Sequence, residues 1–197
     1  MTILRSYNLK KNSLELNGDN VLLRPPQYSD WIDWSKVREV NRLYLQPWEP
    51  LWSPGELERS SFVKRVRMFE KLSINDEAYS FLIFKNENAE FIGELNISNI
   101  QRGIIQSCSI GYWIAKKYEG LGMMSESLEL IKSFIFHQLK LHRIEAACLP
   151  HNSPSLKVLL KNGFKIEGTA RKLLKINNKW QDHTVFSYLY EDYKNLK

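Results

Sequence analysis

Two short stretches of this chain carry residues whose types and spacing could do chemistry. The first is Lys117-Tyr118-Glu119-Gly120-Leu121-Gly122-Met123, directly after the strand-like run Ser109-Ile110-Gly111-Tyr112-Trp113-Ile114. Two glycines one residue apart, followed by a long amphipathic segment, predict a turn with bare backbone N–H groups at a helix N-terminus. Phosphate oxygens bind well there, because unpaired amides and the helix dipole both favour negative charge. Glycine suits the position because a Cβ would keep the phosphates at a distance. The same spacing also serves ordinary turns. The second stretch is His151-Asn152-Ser153-Pro154-Ser155. It follows a strand-like run from His142 to Cys148 with Ile144, Ala146 and Cys148 on one face. Asn152 and Ser155 place an amide and a hydroxyl at the start of a short helix, where an Asn can also act as a cap and a Ser as a plain first-turn residue.

The elements that must position these residues are readable from periodicity and punctuation. Asn20 to Arg24 reads as a first strand ended by Pro25-Pro26, and Ser29 as the N-cap of a helix from Asp30. A loop is expected at Gln46 to Pro50. Pro54-Gly55 then precedes a helix from about Glu56 to Leu72, with Phe62, Val66 and Phe69 on one face. Ala78 to Lys85, Glu90 to Asn99 and Gln106 to Ile114 read as three strands. After the glycine turn, Met124, Leu128, Ile131, Ile135 and Leu139 recur at spacings of three and four, which is a core-facing helix stripe. The helix after Asn152 starts with Ser153 as cap and Pro154 in its first turn, and stops at Gly163. Phe164 to Ile176 and Trp180 to Tyr190 form a hairpin across Asn177-Asn178-Lys179. The order β-α-α-β-β-β-α-β-α-β-β fits a mixed sheet with helices on both faces.

Composition narrows the function classes. The chain has 197 residues, 43% hydrophobic and 25% charged, which fits one soluble domain. No apolar run approaches a membrane span, and Met1-Thr2-Ile3-Leu4-Arg5 opens no signal-peptide core. A cytoplasmic protein without membrane attachment is expected. Cys108 and Cys148 sit in apolar strand patterns as core residues, and no metal-ligand spacing is present, so no metal is expected. The net charge of +6 suits an anionic ligand or an RNA-rich assembly, although each lysine can equally be a solvated surface group.

Taken in order, K-x-x-G-x-G, a helix, a strand, N-x-x-S, a helix and Asn162-Gly163-Phe164 resemble the GCN5-related N-acetyltransferase (GNAT) superfamily. The resemblance implies an α+β fold with a mixed, mostly antiparallel central sheet, helices on both faces and a splayed strand pair holding acetyl-CoA. It implies that the turn from Lys117 through Tyr118, Glu119, Gly120, Leu121 and Gly122 to Met123 binds the pyrophosphate. Lys117 stands where the family usually has Gln or Arg. The strand end Tyr112-Trp113-Ile114 would pair with the pantetheine arm, Asn152 would bond it, and Ser155 would protonate the departing thiolate. Glu49 and Glu94 are the candidate general bases, each with a solvated or structural alternative. An α-amino group with pKa about 7.7–8.0 is partly neutral already at neutral pH, so weak assistance through water could suffice. Trp48, Glu49 and Glu94 are expected at the acceptor cleft. Leu174 stands where some relatives carry a strand glutamate.

Further motifs resemble the RimJ/RimL-type ribosomal-protein N-acetyltransferases, over roughly Leu14 to Tyr190. They are Leu45-Gln46-Pro47-Trp48-Glu49-Pro50, Phe91-Ile92-Gly93 with Ile97-Ser98-Asn99, His142-Arg143-Ile144 with Pro150-His151-Asn152, and Trp180-Gln181-Asp182-His183. This resemblance implies one acetyltransferase domain over residues 14–190 with short extensions. It implies direct transfer from acetyl-CoA to a protein N-terminus, the N-terminal alanine of ribosomal protein S5, and ribosome association by a monomer or homodimer. Two other readings stand beside it. One is acetylation of a small amine such as a polyamine or aminoglycoside, against which the lack of an acidic cluster counts. The other is a non-catalytic CoA-binding or ribosome-binding module.

Overall fold

The computed structural model describes residues 14–194. The N-terminal extension, with the reading made of its first residues, and the last three residues lie outside the described residues. The strands are β1 (Leu16–Asn17), β2 (Val21–Arg24), β3 (Tyr79–Lys85), β4 (Glu90–Gln101), β5 (Ser107–Ile114), β6 (Arg143–Cys148), β7 (Lys165–Ile176) and β8 (Lys179–Leu189). The helices are α1 (Trp31–Val40), α2 (Arg42–Leu45), α3 (Arg59–Ile74), α4 (Met123–His137), α5 (Ser153–Lys161) and α6 (Tyr190–Lys194). All eight strands form one sheet in the order β1-β2-β3-β4-β5-β6-β8-β7. Pairing is antiparallel throughout except between β5 and β6, which are parallel. Among the described residues no helix is long and apolar enough to cross a membrane.

Alternation along the strands divides the apolar residues between two cores. Leu95 and Ile97 of β4 and Ile110 of β5 face α4, whose Leu128, Ile131 and Ile135 are fully buried at the predicted spacing. Leu82, Phe84 and Phe91 face the other way, against Trp34 of α1 and Phe62 and Val66 of α3. Burying each such side chain stabilises the fold by about 1.5–3 kcal/mol. The result is helices on both faces of a mixed, mostly antiparallel sheet, as expected.

Local differences have local causes. The entry to α1 is a 3-10 turn over Tyr28–Asp30, so Ser29 lies inside it and is not the cap. Asp30 takes over the pinning role: its carboxylate accepts the Gln27 N–H at 2.7 Å and both terminal nitrogens of Arg24 at 2.8 and 2.7 Å. Likewise Ser153 is not the cap of α5. Asn152 is, its Oδ1 accepting the Ser155 N–H at 3.2 Å. Helix α3 starts at Arg59, after turns in which Glu56 and Glu58 donate their N–H groups to Ser53 and Gly55. Two-residue β1, four-residue α2 and five-residue α6 are too short to leave a periodic signal. The β7–β8 turn is tighter than expected: Asn177 and Asn178 both have positive φ, 42° and 63°, as a two-residue hairpin loop requires.

Candidate active site

Strands β5 and β6 pair only from Ser107↔Arg143 to Ile110↔Ala146. Beyond Ile110 the two strands part. β5 stays paired with β4 as far as Ile114, and β6 with β8 as far as Cys148. The gap opens into a cleft of about 1590 Å³ that crosses the sheet. Tyr112, Trp113 and Ile114 line it from β5, and Asn152 and Ser155 from the start of α5. The splayed pair expected from the sequence is therefore present, with its open end between the two chemistry-bearing stretches.

The glycine turn forms one end of the cleft. Gly120 and Gly122 have φ of +77° and +83°, and a Cβ on either would project into open space with nothing within 4 Å. Positive φ explains glycine locally, since a side chain costs about 1–2 kcal/mol there. The open space in front is a cradle in which bare backbone can approach an anion, and it fits a pyrophosphate. Gly122 is the N-cap of α4, so the first amides of α4 have no intrahelical acceptor. Leu121 and Met123 do not line the cleft. The Leu121 side chain is exposed and Met123 packs on the core, so any share they have in anion binding comes from backbone. The Lys117 ammonium is paired with Glu90, which also accepts the Tyr118 hydroxyl at 2.5 Å. Glu119 accepts the Tyr44 hydroxyl at 3.2 Å; burial, with Glu119 beside it, pushes that phenol up to about 12. Sequence reasoning missed Asn41. Its Oδ1 accepts the Lys116 N–H at 2.9 Å and its amide donates to Val37 at 2.8 Å, tying the end of α1 to the approach of the turn.

At the middle of the cleft, the Ser155 and Tyr112 hydroxyls lie 3.0 Å apart, and either can donate. Burial pushes the Tyr112 phenol well above its ordinary value. It therefore stays protonated and serves as a neutral hydrogen-bond partner of Ser155. Burial also raises the Cys148 thiol, opposed by a hydrogen bond with Ser155. Neither free cysteine is poised as a nucleophile: the Cys108 thiol is pushed up to about 12, chiefly by burial. Asn152 keeps its side-chain amide for a ligand while its oxygen caps α5.

Another part of the cleft wall is built from side chains. Trp48 and Glu49 both line it. Trp48 lies against the His151 ring with centroids 5.5 Å apart, and the Glu49 carbonyl accepts the Asn177 N–H from the β7–β8 turn at 3.0 Å. The Glu49 carboxylate is engaged. It accepts both terminal nitrogens of Arg38 at 3.1 and 2.7 Å and the Trp52 indole N–H at 2.7 Å. Glu94 is a correction. It is 1% exposed, lies off the cleft, and is paired with Arg65 of α3 beside the Ser80 hydroxyl. Period-two alternation turns it to the α1–α3 face with Leu82, where it can touch no acceptor.

The family described as "Acetyltransferase (GNAT) domain" matches residues 20–165. The probable N-acetyltransferase YjcK of Bacillus subtilis is 35% identical over 90% of this chain and 98% of its own length. The [ribosomal protein uS5]-alanine N-acetyltransferase of Escherichia coli is 33% identical over 91% of this chain and 92% of its own. Mycobacterium smegmatis RimJ in complex with CoA-disulfide superposes with a TM-score of 0.83 at 31% identity, covering 87% of this chain and 83% of that one.

Proposed function

The chain belongs to the GNAT acetyltransferase family and is an acetyl-CoA-dependent N-acetyltransferase; from that premise we propose that its acceptor is the N-terminal alanine of ribosomal protein S5. The observation that carries the acceptor is the 33% identity with the uS5-alanine enzyme, which runs over 91% of this chain and so includes both ends of the cleft. One acetyltransferase domain over residues 14–190, acting in the cytoplasm and meeting its acceptor on or near the ribosome, completes the reading.

Bound acetyl-CoA supplies an activated acetyl group. Gly120, Gly122 and the first amides of α4 hold its pyrophosphate. The backbone of Tyr112, Trp113 and Ile114 and the Asn152 amide hold the pantetheine arm. Those contacts fix the thioester, which converts an encounter into a positioned attack. The acceptor nitrogen forms the new C–N bond, the C–S bond breaks, and Ser155 Oγ–H protonates the sulfur. The serine is reprotonated from water, directly or relayed through the Tyr112 hydroxyl 3.0 Å away, which takes a proton from water as it gives one up. The amine's own proton leaves to water, and no covalent enzyme intermediate is needed. Trp48 shapes the acceptor end.

The test is an acceptor screen by mass spectrometry with acetyl-CoA. Acetylation of an alanine-starting S5 peptide in preference to polyamines and aminoglycosides is expected. Preference for a small amine would overturn the acceptor, and no transfer to any amine would overturn catalysis.

A further inference from the structure

Arg38 is 6% exposed, yet it carries a charge beside the acceptor end of the cleft. Its guanidinium lies 4.4 Å from the Trp52 ring and 5.3 Å from each of Trp34 and Trp113. Its two terminal nitrogens both go to Glu49. Its Nε is buried without a hydrogen-bond partner among the described residues, as is Trp34 Nε1. This is a costly arrangement, since desolvating a cation is offset only by close pairing. A glutamine pair would join the loop to α1 at less expense. The site keeps two opposite charges in contact, bidentate and stacked on aromatic faces.

Acetyl transfer gives that cancellation a use. The attacking amine must be neutral, and an α-amino group titrates at about 7.7–8.0. A lone carboxylate in the acceptor wall would stabilise the ammonium and hold its proton. A lone guanidinium would repel the acceptor. We propose that Arg38 is a positioning residue that acts through Glu49: it neutralises the acceptor wall while leaving Glu49 oxygens able to accept an amine N–H. This rests on the N-acetyltransferase reading.

The other charges around the pair are accounted for. From α1, Asp33 and Lys36 line the same cleft. From α2, Arg42 lies over Trp52 at 4.7 Å and is paired with Glu39. Behind the pair, Glu94 of β4 is paired with Arg65 of α3. His151 lies against Trp48, and Lys175 and Lys179 flank the β7–β8 turn that bonds Glu49. Glu90, Lys116, Lys117 and Glu119 also line the cleft, as do Lys157 and Lys161 of α5. None of these is bonded to the Glu49 carboxylate.

The experiment is the pH profile of kcat, at saturating acetyl-CoA and acceptor, in wild type, Arg38→Gln, Glu49→Gln and the double variant, using the amine that the acceptor screen identifies, because kcat reports ionisations in the bound complex. Arg38→Gln should move the acid limb up by about 0.5–1 pH unit, the size expected of one uncancelled charge in a partly wet cleft. Glu49→Gln should move it down by a similar amount. The double variant should return the limb to the wild-type position even where kcat stays low. Calorimetric acetyl-CoA affinity reports folding. Limbs that stay put in the single variants, or a double variant that keeps a single variant's shift, would overturn the proposal. Should Arg38→Gln fail to fold, Glu49→Gln alone decides, since an unmoved limb there is equally fatal. A wild type that acetylates no amine would instead overturn the family-based reading.

Discussion

At the cosubstrate end of the cleft the wall is backbone: two glycines with positive φ, the first amides of α4 and a strand edge left unpaired beyond Ile110. In the proposed acceptor wall it is side chains: Trp48 on His151, and Glu49 held by Arg38 and Trp52. The first end can bind any ligand with the same phosphates and amide-bearing arm, and its geometry depends on few residues. The second is set by long-range contacts among α1, the loop after α2 and the β7–β8 turn, so it can change acceptor without disturbing the cosubstrate. Ser155 and Tyr112 sit where the two ends meet.

The sharpest way to break this division is at the meeting point. Ser155→Ala should lower kcat by about 10²-fold or more, the usual worth of a positioned proton donor, while acetyl-CoA affinity holds. Single-turnover kinetics with calorimetry would show it. Full turnover would make Ser155 a first-turn helix residue only. Next in size is Gly122→Val, which forces a β-branched side chain into positive φ and fills the cradle. Acetyl-CoA affinity should fall about tenfold or more because the side chain occupies the open space in front of the turn, and acceptor KM at saturating acetyl-CoA should not change. Unchanged affinity in a folded variant would remove the phosphate assignment.

A smaller effect is expected at the acceptor end. Trp48→Ala should raise the KM for an alanine-starting peptide several-fold, consistent with loss of one aromatic wall, and leave acetyl-CoA affinity as it is. Wild-type peptide kinetics would take Trp48 out of the acceptor wall. Smallest in its effect on turnover is Glu94→Gln, because Glu94 belongs to neither end. It should instead lower stability by about 3 kcal/mol, as broken buried pairs do. Burial opposes its ionisation, but Arg65, Asn96 and Arg38 outweigh burial and hold its carboxyl below the ordinary value. A depressed folded-state pKa gives stability that is present above the unfolded value of about 4.3 and lost as pH falls through the folded one. The gap between wild type and variant in denaturant melts should therefore close in acid. A constant gap would mean that Glu94 is not held ionised by its partners.

The same division explains what could be read from residues alone. The glycine turn and the α4 stripe from Met124 to Ile135 follow from local spacing, whereas the parted strands are implied only by the family resemblance. Asn152 and Ser155 line the cleft, and the cap is Asn152, not Ser153, a one-residue shift that periodicity does not resolve. Arg38 was missed because a lone arginine in a helix reads as a solvated charge. Its partners Glu49 and Trp52 lie more than ten residues away, beyond any helical repeat. Glu94 differs for a related reason: the strand is as expected, but Leu95 and Ile97 face α4, so alternation turns Glu94 to the opposite face, where its partner Arg65 lies 29 residues away in the chain. Lys132, fully buried beneath the carbonyl of Asn162 and over the Tyr188 ring, gave no signal at all within an amphipathic stripe.

The parting of β5 from β6 also means that this sheet carries an open edge in its middle. Edges of that kind invite any extended chain to add itself as a strand. An amide-bearing pantetheine arm has the hydrogen-bonding pattern to close it. Cosubstrate supply thus becomes a stability variable. At a hundred times its dissociation constant, a ligand that binds only the folded state adds about 2.7 kcal/mol. In a cell short of acetyl-CoA and CoA, this protein would lose resistance to unfolding and to self-association at the same moment that it lost its acyl donor.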